Sequence, residues 1–325
     1  MIGRVAAVTD PGRKRRRNED AYVVEPPLFA IADGMGGAQA GEIASRLATA
    51  ALREGAAVEP GGEQRIVDLI QEANRRVYDR SSTDPNTSGM GTTITVALVE
   101  DGSVAFGHVG DSRAYLIRDA GMEQLTEDHS LVNELLKTGR LSQEEAEAHP
   151  QRSVITRALG TDPDVDVDTF SVPAQTGDLF LLCSDGLTDM VSEQSILSVV
   201  ERNRDDIDAA LRALVKAANR GGGQDNITVV AFEIADEPLV HDGDTREQAR
   251  PAANASPEED TLTESDGVPV VDTAVISVDE ISAEAAARAG EEPARPRHLR
   301  GRIVASLAVL LIAAAVLFVV VRFLL

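Results

Sequence analysis

The chain has 325 residues, 43% of them hydrophobic, with 54 acidic against 31 basic side chains and a formal charge of −23. That is enough apolar material for a sizeable core, and too much negative charge for general nucleic-acid binding, which needs Lys and Arg in excess to displace counterions. Cys183 is the only cysteine, which rules out an internal disulfide and suits a reducing compartment.

The first residues, MIGRVAAVTDPGR, lack the continuous apolar stretch of a secretory signal. Strand-like runs follow at 4–8 and 28–32, and then two helices are predicted. One is marked by Ile43, Leu47 and Ala51, the other by Ile66, Leu69, Ile70, Ala73 and Val77. Further strands are expected at 92–99, 103–109, 114–117 and 179–183. Alternating Asp and Val over 164–168 reads as a solvent-facing strand. A helix follows at Ile207, Leu211, Leu214, Val215 and Ala218, and a strand at 227–234. Long helices with antiparallel strands in one domain, residues 1–236, indicate an α+β layered sandwich.

Composition changes after that. Residues 237–296 hold 15 acidic and 4 basic side chains, a net −11, and little periodicity, the signature of an acidic disordered linker. Residues 297–325 begin with a basic flank and carry 19 uncharged, mainly apolar residues at 303–321. At about 1.5 Å per residue that run matches the hydrocarbon thickness of a bilayer. Arg295, Arg297, His298, Arg300 and Arg302 precede it and only Arg322 follows, so the N-terminal side is expected in the cytoplasm. The expected location is therefore the cell membrane, single-pass, with the folded domain cytoplasmic.

Five acidic turns punctuate the folded part, each expected to follow or end a strand: Asp33-Gly34-Met35-Gly36-Gly37, Gly110-Asp111-Ser112, Ser184-Asp185-Gly186, Asp189, and Gln224-Asp225-Asn226, with Glu19-Asp20 near the start. Singly, each is an ordinary Asp-Gly type of turn. Jointly, at strand ends along one rim, carboxylates so close would repel unless a cation neutralised them. Oxygen donors without His or Cys suit Mg²⁺ or Mn²⁺. Beside them the basic run Arg13-Lys14-Arg15-Arg16-Arg17 offers a guanidinium that can clamp a phosphate through two N–H groups.

The order Arg-x-x-Asn-Glu-Asp (15–20), Asp-Gly-Met-Gly-Gly (33–37), Gly-Thr-Thr (91–93), Gly-Asp-Ser-Arg (110–113), Asp-His-Ser (128–130), Thr-Arg-Ala-Leu-Gly (156–160), Ser-Asp-Gly-Leu-Thr-Asp (184–189) and Gln-Asp-Asn-Ile-Thr (224–228) resembles the bacterial metal-dependent type 2C protein phosphatases. The resemblance covers nearly all of residues 1–236. It implies a four-layer α-β-β-α sandwich and two, or with a third site three, Mn²⁺ or Mg²⁺ ions. Asp33 would bridge two ions, the Gly34 carbonyl would bind one of them, and Asp185 and Asp225 would complete the other site. Asp20, with Glu19, would hold waters around the ions, while Asp111 and Asp189 match the positions for a third ion. Arg15 aligns with the phosphate-binding arginine, and residues 137–153 fall where the family has a flap. Met35 stands where eukaryotic relatives have a candidate acid, His, and His129 reads as structural.

The implied activity is hydrolysis of phosphoserine and phosphothreonine on proteins by a metal-activated water. Expected partners are phosphorylated proteins, Ser/Thr kinases and their substrates. Two ions about 3.5–4 Å apart lower the pKa of a water and aim it in line, so no phosphoenzyme is required. A cysteine phosphatase is excluded, because the residue six beyond Cys183 is Asp189 rather than Arg. Two rivals remain: a non-catalytic phosphoprotein binder on the same fold, and a phosphatase acting on anti-anti-sigma factors.

Overall fold

The computed structural model describes residues 1–36, 40–55, 61–100, 102–147 and 149–236. All of them lie in the first of two compact units, Met1–Ser277. The expected linker at 237–296 and the apolar run at 303–321 lie outside the described residues. Among the described residues no helix is long and apolar enough to cross a membrane.

In chain order the strands are β1 (Ile2–Asp10), β2 (Asp20–Glu25), β3 (Leu28–Met35), β4 (Gly91–Thr92), β5 (Ile94–Glu100), β6 (Ser103–Val109), β7 (Arg113–Arg118), β8 (Gly121–Gln124), β9 (Asp168–Pro173), β10 (Leu179–Cys183) and β11 (Ile227–Ile234). The helices are α1 (Ala40–Gly55), α2 (Gly62–Thr83), α3 (Leu131–Lys137), α4 (Gln143–Glu147), α5 (Asp185–Thr188), α6 (Glu193–Arg202) and α7 (Ile207–Gly221). Two antiparallel sheets form, ordered β1-β11-β10-β7-β8 and β2-β3-β5-β6-β9, with β4 attached to β3.

Strand alternation assigns side chains to layers. On β3, Phe29 and Ile31 enter the core between the sheets, while Leu28, Ala30 and Ala32 turn to α1 and α2. On β11, Val230 and Phe232 face the same inter-sheet core, and Val229 and Ala231 face α7 through Leu211 and Leu214. The expected four layers, helix-sheet-sheet-helix, follow from these three cores. The inter-sheet core is a file of phenylalanines. Phe232 stacks on Phe29 at 4.2 Å and on Phe180 at 5.2 Å, and Phe106 lies between Phe180 and Phe170.

The expected strand over 164–168 is not formed. Only Asp168 belongs to a strand, the start of β9, and Val165 is buried against the α1–α2 layer instead of alternating with solvent. Asn74 holds this segment as a loop by donating to the carbonyls of Asp162 and Pro163.

Candidate metal centre

β2 and β3 pair in a register that sets Asp20 directly opposite Asp33. Like charges in that cross-strand relation oppose the pairing, and other strand ends bring more negative charge to the same place. Asp111 follows β6, Asp185 begins α5 directly after β10, and Asp225 precedes β11. The expectation that each acidic turn follows or ends a strand therefore fails at Asp225, whose turn leads into its strand, and at Asp189, which caps α5. Antiparallel neighbours start and stop at the same rim, so a residue entering β11 meets one leaving β10.

The cavity at this rim measures ≈ 30 Å³ and is lined by Arg15, Glu19, Asp33, Gly34, Met35, Gly36, Asp111, Ile155, Asp185 and Asp225. It has room for ions and a few waters. Five of the seven expected metal residues line it. Asp20 lies behind the cavity, where its Oδ2 accepts from Ser184 Oγ at 2.9 Å and Thr228 Oγ1 at 2.6 Å. Asp189 sits exposed at the rim and pairs with Arg152 at 3.2 Å. Sequence reasoning missed Arg152, Ser184 and Thr228; their own patterns carry no signal for these contacts, which depend on the loops and strands that bring them in.

The electrostatics favour a cation. Burial and the neighbouring carboxylates push Asp33 and Asp185 well above the usual carboxylate range. Burial, with Asp128 and Asp189 nearby, lifts Asp111 to about 7. Burial lifts Glu19 to about 7 against the pull of Arg15, and lifts Asp20 to about 6 against its hydroxyl donors. Asp20 Oδ1 and Asp185 Oδ1 are buried with no hydrogen-bond partner among the described residues. Orphaned carboxylate oxygens in a field of like charge are what a hard divalent ion satisfies. No three acidic, His or Cys side chains among the described residues converge as a finished ligand shell. A Mg²⁺-like ion takes only one or two carboxylates and keeps several waters, so a sparse donor set fits it.

These shifts give a pH prediction. A carboxyl whose folded pKa is raised binds its proton more tightly in the folded state, so its contribution to stability falls as pH rises from about 4 to about 7. Metal-free protein should melt at progressively lower temperature from pH 5 to pH 8. Added Mn²⁺ should raise the melting temperature more at pH 8 than at pH 5, because binding must displace protons at low pH. Calorimetry across that range checks both trends; a flat or rising metal-free curve would contradict the clustered-carboxylate account.

Gly34 is required for space rather than for turn geometry. A Cβ there would lie 2.1 Å from the Gly41 carbonyl oxygen and 2.6 Å from that of Glu19, so α1 and the Glu19 turn close directly on β3. Asp33 is held by its backbone: its N–H donates to Thr93 Oγ1 at 3.0 Å and its carbonyl accepts from Thr92 Oγ1 at 2.8 Å. The Gly-Thr-Thr run thus fixes the central carboxylate. Met35 packs with Ile155 and Ala158, which makes that cavity wall apolar and without a proton donor.

Arg15 lines the cavity and donates from Nη2 to Asp225 Oδ2 at 2.8 Å. Burial draws its pKa down, but Asp225 outweighs this and the guanidinium stays charged. Asp225 thus takes one of the five N–H donors of Arg15. Asn226 fixes the loop, accepting from the Glu19 N–H and donating to the carbonyls of Pro11 and Arg17.

His129 has the expected structural role. Its Nδ1 accepts from the Gly110 N–H at 3.0 Å, which puts the proton on Nε2, 3.1 Å from Asp168 Oδ2. Arg113 grips Asp128 through Nε and Nη2, with the shorter contact at 2.6 Å. Both contacts brace the turn that presents Asp111. Residues 137–153, expected as a flap, begin at the end of α3 and include α4 and Arg152, which reaches the rim; Ile155, just beyond them, lines the wall.

Comparison with known proteins places this geometry. The sequence pattern of the family described as Protein phosphatase 2C matches residues 13–222. The serine/threonine phosphatase stp of Listeria innocua serovar 6a is 43% identical over 236 residues, covering 69% of this chain and 93% of the relative. The serine/threonine protein phosphatase PstP of Mycobacterium tuberculosis is 40% identical over 238 residues, covering 73% of this chain and 46% of the relative. The crystal structure of M. tuberculosis PstP/Ppp superimposes with a TM-score of 0.69 at 40% identity, covering 72% of this chain and 100% of that one. A PstP catalytic domain in complex with two manganese ions matches at 38% identity and TM-score 0.67, over 72% of this chain and 99% of that one.

Proposed function

The chain belongs to the protein phosphatase 2C family, and from that premise we propose how its own residues perform the phosphatase reaction. It is a metal-dependent protein serine/threonine phosphatase that uses Mn²⁺ or Mg²⁺. The observation that carries the residue assignment is the facing pair Asp20 and Asp33, with Asp111, Asp185 and Asp225 around one small cavity. Asp33, the Gly34 carbonyl, Asp185 and Asp225 are the groups that would hold the two ions, with Asp33 central among them. Asp20 and Glu19 would orient water around the ions, and Asp111 with Asp189 would hold a third.

When bound, the metal pair would supply a water of lowered pKa placed for in-line attack at phosphorus. Arg15 binds the phosphoryl oxygens and neutralises the charge that develops on them. Met35 and Ile155 keep bulk water from the adjacent wall. The test is turnover of a phosphothreonine peptide by the full chain with Mn²⁺, with Mg²⁺ and with EDTA. Activity indifferent to EDTA would overturn the assignment. Arg15→Ala should lower kcat/KM by about 10–150-fold, the range for one charge-assisted hydrogen-bonding partner. Arg15→Lys should recover only part of that, since an ammonium cannot reproduce the planar fork.

The same proposal extends to place and partner. The uncharged run at 303–321 with basic residues before it supports a membrane anchor that leaves residues 1–236 in the cytoplasm. A phosphatase so tethered would reverse a Ser/Thr kinase at that surface, through raised effective concentration. Removing residues 297–325 should move the protein from the membrane to the soluble fraction with turnover of a soluble phosphopeptide unchanged; a protein that stays in the membrane fraction would refute the anchor.

A further inference from the structure

A second concavity lies on the other side of the loop that carries Arg15. It measures ≈ 560 Å³ and is lined by Val8, Asp10, Gly12, Arg13, Arg212, Val215, Lys216, Asn219 and Arg220. Arg212, Lys216 and Arg220 recur every four residues on α7 and so share one face. All three are exposed, as is Arg13. The opposite face of α7 is buried through Leu211, Leu214 and Ala218.

These four cations are sparsely neutralised. Arg212 reaches Asp208 at 3.7 Å. Asp10 is the acidic group inside the groove, and its Oδ1 is already committed to the Gly12 N–H at 2.8 Å and Asn219 Nδ2 at 3.1 Å. Elsewhere the molecule is acidic. With −11 on residues 237–296 and +4 on 297–325, residues 1–236 carry −16 of the total −23. A cationic groove on such a body is a local exception.

The groove and the metal centre share their wall. Arg13 and Lys14 donate backbone N–H groups to the Gly223 carbonyl at 2.7 and 3.2 Å, while Arg15 pairs with Asp225. A Cβ at Gly12 would lie 2.2 Å from the Asp225 carbonyl oxygen. The two loops 12–15 and 223–225 are therefore laid side by side, with the cations of the groove at one end and the reaction cavity at the other. Arg13 and Arg15 are two residues apart, so their Cα atoms are within about 7 Å.

We infer that this groove is a substrate-docking site that takes a second phosphate on the phosphoprotein being dephosphorylated. The inference rests on the phosphatase reading and deepens it to a substrate class, segments phosphorylated at two nearby positions. Allowing an arginine side chain's reach at each end, the two phosphates would be separated by roughly 10–20 Å, about three to six residues of extended chain. A phosphate is the fitting occupant because it carries up to two charges on a compact group, and three helix cations four residues apart offer it several donors at once.

The test uses the full chain, Mn²⁺ and three substrates: p-nitrophenyl phosphate, a phosphothreonine peptide, and the same peptide with a second phosphothreonine four residues away. Wild type should cleave the doubly phosphorylated peptide with kcat/KM about tenfold higher, mainly through KM, and the advantage should shrink as salt rises. The combined variant Arg212→Gln, Lys216→Gln, Arg220→Gln should abolish the advantage and leave p-nitrophenyl phosphate hydrolysis unchanged, which also reports that it is folded. Equal kcat/KM for the two peptides in wild type, or a preference surviving in the variant, would overturn the inference. A variant faster than wild type on the singly phosphorylated peptide would assign the groove to the chain's own acidic residues 237–296 and overturn it too. The phosphatase reading itself is judged separately, by EDTA-sensitive turnover of the singly phosphorylated peptide.

Discussion

Asp185→Ala is expected to lower turnover of a phosphothreonine peptide by two to three orders of magnitude or more, on the order of the loss when an electrostatic element of a reaction centre is removed. Asp185 begins α5 directly after β10, lines the cavity, and has one buried oxygen without a partner among the described residues. The same change should stabilise the metal-free protein. The carboxyl is held well above its usual pKa by burial and by Asp111 and Asp225, so its charged form opposes folding and its removal relieves the repulsion. Activity and metal-free stability should therefore move in opposite directions, and the melting-temperature gain on adding Mn²⁺ should shrink. A variant that lost activity and also melted lower without metal would point to collapse of the rim instead of loss of a ligand.

Phe232→Ala should be the most damaging core change, about 3–5 kcal/mol. Phe232 is fully buried on an interior strand of its sheet and stacks on both Phe29 and Phe180, so no neighbour can fill the space without breaking a second ring contact. In a folded unit of this size that corresponds to a fall in melting temperature of about 6–20 °C. Phe170, on the edge strand β9 and only partly buried, should cost distinctly less when changed in the same way. Equal losses at the two positions would mean that the ring file does not form the inter-sheet core.

Much of this was legible in the sequence because the strongest signals are local. Asp33, Asp185 and the phenylalanine-bearing strands sit in apolar runs broken by Asp and Gly, and period-two alternation fixes which face each residue takes. β2 was missed because Asp-Ala-Tyr-Val-Val-Glu is short, half exposed and begins with an acid that faces Asp33 across the strand pair. β9 was misplaced because alternation over 164–168 looked regular, while Asn74, far away in sequence, holds that stretch in a loop. Arg152 and the hydroxyls of Ser184 and Thr228 were beyond reach for a similar reason: their partners come from other strands and loops. The helical stripe Arg212, Lys216, Arg220 was visible as a spacing of four, but its meaning depends on Arg13 arriving beside it.

The position of β11 has a consequence for synthesis of the protein. It is the last strand of the unit, yet it lies between β1, the first, and β10, and it follows directly on Asp225. A ribosome that has translated only as far as β10 has made a chain with one of its two sheets split, its first strand unpaired and its reaction centre incomplete. Phosphatase activity can thus begin only when the residues of β11, up to Ile234, are available for pairing. From residue 237 to the start of the apolar run, 66 more residues must be translated. At about 5–20 residues per second that is an interval of roughly 3–13 s, in which the two sheets can close before the apolar segment has been synthesised.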